Sequence, residues 1–153
     1  MGQKRQNGRM LVGDCLGRQE FNTQLLYFTC SSLGASDERI FMISDQGGSP
    51  NVVVRDMFTG TEKTLTKNTK GILKSYVYFD GTFNEGLGKA SVCLDCEREA
   101  IYYIQDDEIC KVDLDGTITI LGRVPDGRMT AFTHVSADGK QLCVPMTDGR
   151  CLD

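Results

Sequence analysis

One pattern starts three times along this chain, and it decides most of what the chain can fold into. "DERIFMISD" at 37–45 is followed by a turn and then by "NVVVRDMFTGTEKTLT". "REAIYYIQD" at 98–106 is followed by a turn and "EICKVDLDGTITILG", and "GKQLCVPMTD" at 139–148 opens a further copy. Setting Ile40 against Ile101 and Leu142 brings Asp56 onto Asp113, each ahead of a Gly-containing turn, Thr59-Gly60 or Asp115-Gly116. Self-similarity at a fixed spacing is the mark of a repeat architecture.

Each copy is preceded by another short apolar segment, "LLYFTCSSL", "KASVCLDC" or "TAFTHVSA". The unit is therefore four short strands joined by tight turns, with Gly and Asp where hairpins need positive φ or side-chain turn bonds. The second strand of each copy does not alternate: Ile40, Phe41, Met42 and Ile43 are consecutive, as are Ile101, Tyr102, Tyr103 and Ile104. Such runs require cover on both faces of the sheet. In an all-β protein, sheets packed face to face around an axis provide it, which predicts a β-propeller of four-stranded blades, roughly 40 to 45 residues each.

The step from Ile101 to Leu142 matches one blade, whereas the step from Ile40 to Ile101 is longer by the segment "KNTKGILKSYVYFDGTFNEGLG". That insert carries its own apolar run, Tyr76, Val77, Tyr78 and Phe79. It is either an extra hairpin or loop over one face, where inserts on repeat scaffolds often build binding surfaces, or an ordinary long loop. The chain divides into a lead-in (1–24), blade 1 (25–66), the insert (67–88), blade 2 (89–124) and a partial blade 3 (125–153). The last copy ends at "VPMTDGRCLD" with only its first two strands. About two and a half blades cannot close a ring that normally takes about four to eight. The expectation is an open set, either a piece of a longer protein or a chain that completes itself by oligomerising through its open blade edges.

Composition narrows the function classes. With 40% hydrophobic and 25% charged residues the chain is of globular type. A net charge of -4 with scattered Lys and Arg argues against a nucleic-acid partner, and the short cluster Lys4, Arg5 and Arg9 reads as a solvated N-terminus. No stretch approaches the roughly 20 apolar residues that span a bilayer. The N-terminus has no apolar run of a signal peptide, and "MGQKRQ" lacks the Ser or Thr of a myristoylation site. No membrane association and a cytoplasmic location are expected. The seven cysteines, Cys15, Cys30, Cys93, Cys96, Cys110, Cys143 and Cys151, are an odd set that suits reduced thiols. Cys93 and Cys96 have CxxC spacing, but residues three apart on a strand point to opposite faces, so buried thiols without a metal are expected.

The motif order resembles the blades of TolB-like propellers. A blade start of the type D-G-K-x-I-x-F is matched by Asp138-Gly139-Lys140-Gln141-Leu142, after Ala137. The continuation is matched by Ser44-Asp45, Gly48, Asn51, Asp56, Thr59-Gly60 and Leu65-Thr66. Within that group, "GDCLGRQEFNTQLLYFT" and "GLGKASVCLDCEREAIYYIQDDEICKVDL" resemble the first and second blades of oligogalacturonate lyases. The resemblance spans residues 11 to 150. It implies cleavage of pectin fragments by β-elimination, with a histidine base and a manganese ion held largely by further histidines. A metal of that kind acidifies the proton beside a uronate carboxylate, and a nearby base removes it.

This chain has a single histidine, His134. The histidine site of the family therefore maps onto no residues here, no catalytic residue or metal ligand is assigned, and the segment alone is expected to be inert. Manganese is implied only for a full-length lyase, and a uronate oligosaccharide is the partner implied in that case. His134 lies in the first strand of blade 3 and is read either as a structural residue or as one facing a ligand. Arg128, at the entry to that strand, could meet a substrate carboxylate through bidentate hydrogen bonds, and Arg18 is a second candidate. Asp45, Asp56, Asp113 and Asp138 recur at repeat positions, which suits turn stabilisation better than acid–base chemistry. Two other readings stay open: a non-enzymatic TolB-like propeller that holds a protein or peptide, and the propeller domain of a prolyl-peptidase-type hydrolase.

Overall fold

The computed structural model describes residues 21–26, 30–73, 86–124 and 133–146. One antiparallel sheet runs β1 (Thr23–Leu25), β2 (Arg39–Ser44), β3 (Asn51–Asp56) and β4 (Glu62–Thr64), in chain order. A second runs β5 (Leu87–Asp95), β6 (Ala100–Gln105), β7 (Glu108–Val112) and β8 (Ile118–Arg123). β9 (His134–Val135) and β10 (Leu142–Cys143) pair as the beginning of a third. The chain is all-β, an incomplete propeller of four-stranded blades. The insert's apolar run, Tyr76 to Phe79, and the basic cluster at Lys4, Arg5 and Arg9 lie outside the described residues.

Strand register reproduces the repeat. Ile40 pairs with Arg55 as Ile101 pairs with Val112, so Asp56 and Asp113 follow at matching places. Leu142 pairs with Val135 as Ile101 pairs with Leu94, and an isolated bridge sets Leu33 against Ile40 in the same position of blade 1.

Two-sided burial explains the unbroken apolar runs. Phe41, Ile43, Val52, Val54 and Leu65 of blade 1 form one core with Val92, Leu94, Ile101, Tyr103 and Val112 of blade 2. Each such side chain taken from water contributes about 1.5–3 kcal/mol. On its other face, blade 2 packs Ile104 and Val124 against Val144 of blade 3. Blade 2 is therefore covered from both sides, as the consecutive Ile101–Ile104 run requires.

The hairpins that join the first two strands of each blade stack along the same side. Arg39 of blade 1 makes an ion pair of 2.6 Å with Glu99 in the turn of blade 2, and the Ala35 N–H donates to the Cys96 carbonyl at 3.1 Å. One blade on, Arg98 donates to the Asp138 carbonyl at 2.7 Å. Gly139, at φ +68°, has no Cβ where the Arg98 guanidinium lies, 2.6 Å away from such an atom. Farther out, Lys63 Nζ donates to the Leu114 carbonyl at 2.7 Å and ties β4 to the β7–β8 turn.

Beyond β4 the chain is pinned by amides. Asn51 Oδ1 accepts from Asn68 N at 2.7 Å and Thr66 Oγ1 at 2.8 Å, and Asn68 Nδ2 donates to the Pro50 carbonyl at 2.8 Å. Lys70 then reaches Asp106 at 3.1 Å, and β5 begins at Leu87.

Candidate functional site at the inner strands

β1, β5 and β9 are the first strands of their blades, and β5 runs beside β9. The edge of β5 that is not paired with β6 carries a thiol cluster. Leu94 N–H donates to Cys30 Sγ at 2.9 Å, and the same sulfur lies 3.9 Å from the Leu94 carbonyl, 64 positions away in sequence. Cys30 and Cys93 share a side-chain hydrogen bond, and Cys93 also takes a backbone hydrogen bond from Val135 of β9. Cys96, in the turn after β5, is bonded to the Ser31 side chain. Residues from all three blades thus meet around Cys93.

Environment separates the thiols. The hydrogen bond from Cys30 holds Cys93 below the usual thiol range, and the same bond, followed by burial, pushes Cys30 up. Burial also raises Cys96 and Cys110, and it raises the Tyr103 phenol, whose ring lies in the core between the blades. The CxxC spacing marks Cys93 and Cys96 as a local pair. Cys30 carries no such local signal, because its proximity comes from blade packing.

His134 sits on β9 opposite Cys143. By register it holds the place in blade 3 that Cys93 holds in blade 2. Val144 turns toward blade 2, which leaves His134 and Cys143 together on the opposite face, both exposed. Arg128 and Arg18 lie outside the described residues.

The recurring carboxylates are engaged in turns. Asp45 accepts from Asn22 N at 2.6 Å and Asn22 Nδ2 at 2.8 Å; Asp106 accepts from Gly86 N at 2.9 Å. Asp56 Oδ1 accepts from Phe58 N at 2.9 Å and Thr59 N at 2.7 Å, and these bonds hold its carboxyl below the ordinary range. Asp138 accepts from Ser136 Oγ at 2.6 Å and Lys140 N at 3.1 Å, with the same consequence. Asp113 pairs with Lys111 at 2.7 Å.

The chain shares its fold with oligogalacturonate lyase. A solved oligogalacturonate lyase from Vibrio parahaemolyticus aligns over 80% of this chain with a TM-score of 0.63 and 16% identity. A solved oligogalacturonate lyase in complex with manganese gives 0.63 over the same share, at 17% identity. This chain spans 29% of the length of either lyase. No protein-family model and no curated protein matches the sequence.

Manganese does not fit what the described residues offer. Among the described residues no group of three or more His, Cys, Asp or Glu could hold a metal ion, and the single histidine lies on an exposed strand face. Among the described residues no helix is long and apolar enough to cross a membrane.

Proposed function

We propose that this chain supplies the first blades of a propeller lyase that cleaves uronate oligosaccharides from pectin by β-elimination. The observation that carries the reading is the shared fold with two oligogalacturonate lyases over 80% of the chain. In this reading the inner strands form part of the wall that holds the polyanionic substrate. Arg128 and Arg18 meet its carboxylates, and His134 is available to it from β9. The base and the metal ligands of β-elimination come from blades that this chain does not contain. A cytoplasmic location belongs to the same reading, supported by the free cysteines Cys30, Cys93, Cys96, Cys110 and Cys143.

The test is titration of the isotope-labelled chain with trigalacturonate, followed by amide and His134 ring resonances. Expected are shifts confined to the inner strands and weakened by Arg128→Ala and His134→Ala, with no unsaturated uronate formed even when manganese is added. Absence of binding at millimolar trigalacturonate would sink the substrate assignment. Elimination by this chain alone would overturn the placement of the catalytic groups elsewhere.

A further inference from the structure

Cys30 and Cys93 are brought together by two different blades, at a point where neither the repeat nor a uronate site calls for a thiol. Cys93 is buried at 4% exposure, Cys30 is partly exposed, and both are free. Cys30 Sγ rests on the open edge of β5 at Leu94, and the two thiols are hydrogen-bonded to one another. A disulfide needs the Cα atoms of its two cysteines within about 7 Å, and Cys30 Sγ already sits 2.9 Å from the Leu94 amide, one residue from Cys93.

We propose that Cys30 and Cys93 are an oxidisable pair, which a hydroperoxide converts into a reversible disulfide clasping blade 1 to the inner strand of blade 2. The Cys93 thiolate attacks one peroxide oxygen and the O–O bond breaks. Cys93 becomes a sulfenic acid, and the second oxygen leaves as alkoxide (hydroxide when the oxidant is hydrogen peroxide), which takes up the proton that Cys93 released and becomes an alcohol or water. The Cys30 sulfur then attacks the Cys93 sulfur; the S–S bond forms, and the sulfenic oxygen departs as water with the Cys30 proton. Two thiols are oxidised by two electrons, and one peroxide is reduced.

The neighbourhood supports this order of events. Cys93 is the member of the pair that gives up its proton first, because the Cys30 hydrogen bond and the Val135 backbone both favour its thiolate. Burial opposes it most, followed by Cys96 in the turn and Asp95 at the end of β5, without reversing the direction. Cys30 is the less buried residue of the two.

The experiment exposes the folded 153-residue chain to hydrogen peroxide, alkylates the remaining thiols and maps peptides by mass spectrometry without reduction. A Cys30–Cys93 cross-link is expected, together with loss of alkylation at both residues that dithiothreitol restores. The cross-link should persist in Cys96→Ser and disappear when oxidation is carried out in concentrated urea. The oxidised chain should also unfold at higher urea, because the link closes a long loop in the unfolded state. A dominant Cys30–Cys96 or Cys93–Cys96 link, or oxidation of Cys93 to sulfinic acid with Cys30 still alkylated, would overturn the proposal. So would pairing that is the same in folded and urea-treated protein.

Discussion

Asp45 and Asp106 hold the same post in successive blades: each accepts the backbone N–H of the residue that opens its blade's inner strand, Asn22 and Gly86, at 2.6 and 2.9 Å. Each also returns its own N–H to that residue's carbonyl, at 3.1 and 2.8 Å. The carboxylate is a clasp between the start of a blade and the end of its second strand.

Asp106 gives this clasp a pH signature. The Gly86 hydrogen bond, followed by Lys70, holds its carboxyl below the ordinary value of 3.8. A carboxyl depressed in the folded state stabilises fully above its unfolded value, and that stabilisation is lost as pH falls through the folded one. Urea unfolding as a function of pH should therefore show stability falling below about pH 4. Asp106→Asn should lower stability at neutral pH by about 1 kcal/mol and flatten the acid limb. An acid limb unchanged in Asp106→Asn would contradict this assignment.

Phe41 is fully buried in the core that blades 1 and 2 share. Phe41→Ala should cost about 3–5 kcal/mol. Because the core belongs to both sheets, strand signals from the two blades should be lost in a single transition. Circular dichroism and residue-resolved hydrogen exchange in urea check this, and separate midpoints for the two blades would refute it.

Much of this fold was legible in the sequence, for a physical reason. A blade covered on both faces shows its second strand as an unbroken apolar run, and the runs of β2 and β6 align with each other and with Leu142 of β10 because their strands pair in the same register. Gly48, Asn51, Asp56, Thr59-Gly60, Leu65 and Thr66, the residues that looked most like a family signature, all serve the blade itself. Gly48 takes φ +89°, Asn51 and Thr66 bond the strand ends, Asp56 caps a turn, and Leu65 fills the core. They therefore speak for architecture and not for chemistry. Less visible was β1, where Thr23, Gln24 and Leu25 show neither alternation nor an apolar run. Of the thiol cluster, spacing showed Cys93 and Cys96 but not Cys30, which blade packing and not sequence brings to Cys93. Of the candidate site residues only His134 lies among those described; it matches Cys93 in register, yet it is exposed where Cys93 is buried.

Gly139 combines a left-handed backbone with the close approach of Arg98. Gly139→Ala forces a Cβ into a conformation that disfavours it by about 1–2 kcal/mol and displaces the guanidinium that bonds the Asp138 carbonyl. Hydrogen exchange should accelerate across 136–141 and β9 while the amides of β2 and β3 stay unchanged. Uniform acceleration throughout the chain would show that this turn does not act locally.

β8 is an edge strand with Ile118, Ile120 and Leu121 exposed, whereas β4 at the matching edge of blade 1 shows Glu62, Lys63 and Thr64. Apolar edges with free backbone groups template intermolecular pairing. Light scattering should show concentration-dependent association that Ile120→Lys reduces. Association that is indifferent to this change would place the contact elsewhere.

The covering of β6 on both sides has a further consequence. Blades in such a stack interact only with their neighbours, as units in a one-dimensional array do. An interior blade has two partners and a terminal blade has one. Lengthening the stack moves its weak boundary along the chain without removing it. Only closure into a ring, where the first and last blades become neighbours, leaves no end from which unravelling can start.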